Sequence, residues 1–168
     1  MVRFRRPKPF EALADGTFRV RLTPDVRRFL VRLGDEIGEI VTLDIPETRR
    51  LFPTAYPNDP DKDAGYRILA RDGLVDQRQT AADTLRATAD NEILTEDELA
   101  QWMSVINDAR LVLGTRLDVS EDDEPDLDDP DIGLYLIYDE LGYLLDSIVK
   151  VMVTALPEPD DDDDPLNS

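Results

Sequence analysis

The run from Thr95 to Leu117 constrains this chain more than any other stretch. Thr95 and Glu98 have the spacing of a capping box, in which the hydroxyl accepts from one backbone N–H and the carboxylate reaches back to another. Leu99, Trp102, Ile106, Ala109, Leu113 and Leu117 then recur at intervals of three and four, and Met103, Val105 and Val112 widen the stripe. A helix this broadly apolar needs neighbours on several sides. The rest of the chain is therefore expected to be arranged around it.

The flanking sequence supplies those neighbours. Val2 to Arg6 and Thr17 to Leu22 alternate apolar residues with arginine around an Asp15-Gly16 turn signal, which predicts a small N-terminal β-hairpin. Thr23-Pro24-Asp25 starts a helix, and Val26, Phe29, Leu30, Leu33, Ile37, Ile40 and Val41 carry it to about Leu43. Gly34 and Gly38, four apart, suggest a close helix crossing, and Pro46 marks the end. A helical turn over Thr48 to Phe52 and a proline-studded loop follow, pinned by Leu51, Phe52 and Tyr56.

Two helices, Ala64 to Arg71 and Leu74 to Ala89, are predicted on either side of Asp72-Gly73. Tyr66, Ile68, Leu69, Leu74, Gln77, Ala81, Leu85 and Ala89 are their inward candidates. Such a pair also has the outline of a helix-turn-helix, but Asp72, Asp76, Asp83 and Asp90 dilute the positive charge a recognition helix needs. Asn91 to Leu94 reads as a linker or short extended piece. A last long helix restarts at Asp129-Pro130, with Ile132, Tyr135, Leu136, Leu141, Leu144, Leu145, Ile148, Met152 and Leu156 on one side and Tyr138, Val149, Val151 and Val153 on its flank. The fold class is mainly α: a helical bundle of about five or six helices with a small N-terminal β-hairpin. It forms one domain over residues 1–156, with an acidic loop at 118–131 and a disordered acidic tail at 157–168.

Charge and composition close off several chemistries. The chain of 168 residues carries a formal net charge of −19 and contains neither cysteine nor histidine. Thiol chemistry, disulfides and the usual zinc ligands are absent with them. Nine acids fall between Asp118 and Asp131, but Asp123 stands where a calcium loop needs glycine and Asp129 where it needs glutamate. No metal site and no cofactor are expected. The N-terminus lacks the apolar core of a secretory signal, and no stretch is long enough to span a bilayer, so a cytoplasmic protein without membrane contact is expected.

The charge is also uneven. The first 32 residues hold nine basic groups against three acids, and the other 136 hold ten against 35. Arg3, Arg5, Arg19, Arg21, Arg27 and Arg28 thus make a basic patch on an acidic body, a candidate surface for a protein partner. Nucleic acid is disfavoured by the field of the whole molecule. On the central helix Asn107, Asp108, Arg110, Gly114 and Arg116 exceed what solubility requires. They serve either a helix crossing, with Gly114 allowing close approach, or an anion or carboxylate site built on Arg110 and Arg116.

The residues Trp102, Asn107-Asp108, Arg110-Leu111 and Leu113 to Leu117, with Leu51-Phe52-Pro53, Ala55-Tyr56, the arginine-rich start and the tyrosine-rich last helix, resemble an actinobacterial domain-of-unknown-function family, numbered two-zero-one-seven. The resemblance implies no enzymatic activity. It points to regulation or proteostasis, since the family's genes are often seen beside the adaptor of the Clp protease, and to oxidation sensing through a cysteine pair. A chain without cysteine cannot use that last mechanism.

These readings converge on a non-enzymatic cytoplasmic regulatory or interaction protein that binds a protein partner of the transcription or proteolysis machinery, with homodimerisation the simplest use of the broad last helix and its full burial inside the monomer the competing account. The alternatives are a carboxylate-based enzyme, with Asp108 the residue to inspect, and a direct DNA-binding regulator acting through the basic patch.

Overall fold

A computed structural model describes residues 7–52, 54–119 and 128–155. Among them the chain folds as β1 (Phe10–Ala12), β2 (Phe18–Val20), α1 (Pro24–Ile40), a 3-10 helix (Pro46–Leu51), α2 (Pro60–Thr88), β3 (Ile93–Leu94), α3 (Glu96–Arg116) and α4 (Ile132–Thr154). Five helical segments and a small antiparallel sheet make a mainly α fold, as the periodicity predicts. The sheet has the order β1-β2-β3, with Phe10 opposite Val20 and Phe18 opposite Leu94.

α3 is the centre. Thr95 Oγ1 accepts from the Glu98 N–H at 3.2 Å and Glu98 Oε2 accepts from the Thr95 N–H at 2.8 Å, completing the capping box. The helix packs against α1, α2, α4, the 3-10 helix and β3. Leu99, Trp102, Val105 and Ile106 are fully enclosed. Burying side chains of this size stabilises by roughly 1.5–3 kcal/mol each. Inside that core the indole N–H of Trp102 donates to Thr88 Oγ1 at 2.8 Å, and the Thr88 hydroxyl donates to the Thr84 carbonyl at 2.7 Å. Asp118 closes α3 in the left-handed region (φ 50°), with Val119 N–H donating to Gly114 O and Asp118 N–H to Thr115 O, the pairing of a Schellman cap.

The close crossing expected from Gly34 and Gly38 is present. A methyl group on Gly34 would sit 3.5 Å from the Ala82 carbonyl oxygen, and one on Gly38 3.6 Å from the Ala82 side chain. α1 and α2 thus approach at their small residues.

Several boundaries differ from expectation. The strand paired with β2 is Phe10–Ala12 rather than Val2 to Arg6, which lies outside the described residues. The extended piece before Thr95 becomes β3, recruited because the β2 edge needs a partner. Pro46 opens the 3-10 helix at its first position, where a missing N–H costs nothing. The two helices predicted around Asp72-Gly73 are one continuous helix, so no helix-turn-helix exists there. A lone glycine weakens a helix by about 1 kcal/mol without breaking it. Tyr66, Ile68, Leu69 and Gln77 consequently face solvent, and Leu136, Val149 and Val153 on α4 are exposed too. Tyr56 is not a core anchor: its ring is exposed and meets Tyr66 edge-on at 6.0 Å, while the loop is fastened by Asp63 Oδ1, which accepts from the Ala55 and Tyr56 N–H groups at 2.8 and 3.2 Å. Most of the acidic loop (120–127), Leu156 and the tail lie outside the described residues.

Candidate binding groove and the polar node beneath the 3-10 helix

The polar residues of α3 divide between two sides of the helix. Asp108 faces α2, where its Oδ2 lies 3.1 Å from Arg78 Nε. Asp108 is buried and Arg78 partly so, and the Nε–H is not aligned for a hydrogen bond. Arg78 spends its other nitrogens on backbone: NH2 donates to Leu51 O at 2.7 Å and NH1 to Leu74 O at 3.5 Å. Its guanidinium also lies 5.3 Å from the Phe52 ring centroid, and that of Arg71 lies 4.4 Å from the same centroid while donating to Leu43 O. The node therefore fastens the 3-10 helix to α2 and α3. Burial pushes the Asp108 carboxyl up to about 6, against the lowering effect of Arg78.

Arg110 points the other way, to α4. Its guanidinium stacks 4.3 Å from the Tyr138 ring centroid, and a Cβ on Gly142 would come within 3.3 Å of its Nε. Conversely, a Cβ on Gly114 would come within 3.1 Å of Tyr138 Cε2. Each helix gives up a side chain where the other inserts one. Gly114 is thus a close-approach residue, as expected, but Arg110 is held by an aromatic face rather than by a carboxylate. Arg110 and Arg116 lie six residues apart on different faces, and Arg116 is exposed, so no joint anion site forms. Asn107 is half-buried, and its side chain makes no hydrogen bond among the described residues.

Four of the six basic-patch arginines lie among the described residues. Arg3 and Arg5 fall outside the described residues. Arg19 and Arg21 converge on Glu11 Oε2 at 3.2 and 2.5 Å, and the carboxyl of Glu11 is held below its usual value, the two arginines outweighing desolvation. Arg28 pairs with Asp25. Arg27 is a strut: it donates to the carbonyls of Val20, Leu22, Ala89 and Asn91, tying the start of α1 to the sheet and to the end of α2. An arginine in the first turn of a helix gives no sign in sequence of these four acceptors.

The larger concavity lies elsewhere. Between the segment from Pro7 to Ala12 and the last three turns of α4 runs a groove of about 780 Å³. Phe10, Tyr143 and Val151 contribute apolar floor, and Lys8, Glu11, Arg21, Asp146 and Lys150 supply both signs of charge. β1 is an edge strand of the sheet on this side. A second cleft, by Phe52, Tyr66 and Arg71, has about 20 Å³, enough for a single water. Asp108 lines neither. Among the described residues no cluster of acidic side chains is arranged to hold a metal ion, and no helix is long and apolar enough to cross a membrane.

Residues 5–152 match the family model of a domain of unknown function, DUF2017, and the chain belongs to that family. No curated protein and no solved structure matches it.

Proposed function

We propose that this DUF2017 domain is a non-enzymatic regulatory protein that holds a segment of a protein partner in the groove between β1 and α4. The observation that carries the reading is the split between the polar residues and the concave surface. Asp108 and Arg78 are consumed by fastening the 3-10 helix, and Arg110 by the α3–α4 crossing. The groove offers an edge strand, an apolar floor and charges of both signs, which suit an extended peptide. What supports a partner in transcription or proteolysis, and a cytoplasmic protein, is the resemblance read from the sequence.

The test is a comparison of partner capture by wild type and by Ser147→Phe and Thr154→Trp, which fill the groove from α4. Ala87→Phe, on an exposed face of α2, is the control. A partner retained by wild type and the control but lost by both groove variants supports the reading. Equal retention by all four proteins removes the groove from it.

A further inference from the structure

The outer face of α2 holds features that nothing among the described residues accounts for. Arg78, Ala81, Ala82 and Leu85 turn inward, and the opposite stripe, at spacings of three and four, runs Lys62, Gly65, Leu69, Gly73, Asp76. Leu69 is 85% exposed; Ile68 and Tyr66, on either flank, are 76% and 43% exposed. Large apolar side chains grouped in this way on a helix mark a surface that another molecule covers. The two glycines sharpen the point. Gly34, Gly114 and Gly142 each make room for a neighbouring residue, whereas a Cβ on Gly65 or Gly73 would meet nothing within 4 Å. Glycine is unfavourable in a helix interior, and here no contact among the described residues accounts for it.

We infer that two copies of this chain pair through this face, their α2 helices antiparallel about a two-fold axis passing through Leu69. The face is self-complementary. In that arrangement Leu69 meets its own copy, Gly65 faces Gly73 so that the helix backbones come close, and Lys62 faces Asp76 at both ends. Neither Lys62 nor Asp76 has an ion-pair partner among the described residues; Lys62 Nζ lies 5.5 Å from the exposed Tyr56 ring centroid, a surface contact it can exchange for a carboxylate. A parallel pairing sets Lys62 against Lys62 and Asp76 against Asp76. Asp61, Asp72 and Asp76, all exposed on or beside the stripe, repel phosphate, which disfavours nucleic acid and anionic lipid as the covering surface. The stripe spans about 20 Å of helix, a small interface, so association is expected in the micromolar range.

Sedimentation equilibrium of the full chain from about 1 to 300 µM reads the pairing directly. Wild type is expected to approach twice the monomer mass at the upper end. Leu69→Glu is expected to remain monomeric, and Lys62→Glu to weaken association at least about tenfold by placing two acids together. Lys62→Glu combined with Asp76→Lys is expected to restore it. The substituted side chains are exposed, so the variants keep the fold, which circular dichroism checks. A wild type that stays monomeric throughout, a dimer untouched by Leu69→Glu, or a charge swap that fails to restore pairing each overturns the inference.

Discussion

Asp108 and Arg78 meet at 3.1 Å beneath the 3-10 helix, an acid from the central helix and a base from the longest one, and Phe52 covers the base. Among the described residues the pair is where α2, α3 and the 3-10 helix share a polar contact. Breaking it by removing the base strands a buried charge. Arg78→Leu is expected to destabilise by roughly 3–5 kcal/mol at neutral pH, and adding Asp108→Leu to recover much of that loss. Urea unfolding of the two variants and wild type checks both numbers.

The same pair gives a pH dependence with a definite sign. The Asp108 carboxyl is raised to about 6 from an ordinary value of 3.8, so the folded state holds its proton more tightly than the unfolded state. The stability this group contributes is full below its ordinary value and is lost as pH rises through about 6. Asp108→Asn removes the titration. The stability of the variant relative to wild type is expected to rise between about pH 4.5 and 7, and a difference that stays constant or falls contradicts the assignment.

Among the described residues Thr88 is the acceptor for the buried indole N–H of Trp102. Thr88→Val keeps the shape and deletes the acceptor. A loss of about 1–3 kcal/mol is expected, the cost of leaving one buried donor without a partner. Thermal unfolding measures it.

Glycine substitutions separate close contacts from open faces. Gly114→Ala is expected to destabilise by about 1–3 kcal/mol because its methyl group meets Tyr138 at 3.1 Å, despite the better helix propensity of alanine. Gly65→Ala and Gly73→Ala meet nothing and are expected to stabilise the single chain by up to about 1 kcal/mol each. Dilute samples, unfolded by urea, give both signs.

The cap of α3 offers an independent check. Asp118 occupies a left-handed position that glycine adopts without strain. Asp118→Gly is expected to raise stability by roughly 0.5–1 kcal/mol.

What the sequence reveals and what it hides follow from the range of each interaction. The capping box at Thr95, the stripe through Trp102 and the close approach at Gly34 are local patterns, and the structure contains all three. The Asp108 node was hidden by one local error. Leu74, Ala81 and Leu85 are inward as read, but between them Gln77, three residues on from Leu74, is read as inward in place of Arg78, four on, and the partner of Asp108 disappears from view. Read as one helix, Arg71, Leu74, Arg78, Ala81 and Leu85 fall on one stripe, and two arginines in such a stripe are a signal of buried polar contacts. The four carbonyls that hold Arg27 come from segments more than sixty residues away as well as from near ones, and periodicity carries no record of them. The groove is hidden for the same reason, since it exists only where β1 lies beside α4.

The most direct test of the central claim is site-specific photo-crosslinking in the native extract, with the crosslinker placed in turn at Ser147 in the groove, at Ala87 on α2 and at Asp139 on the exposed side of α4. Transfer of one partner protein from Ser147 alone, abolished by Thr154→Trp, is the result the account predicts. A partner that crosslinks from Ala87 or Asp139 and leaves Ser147 unlabelled contradicts it.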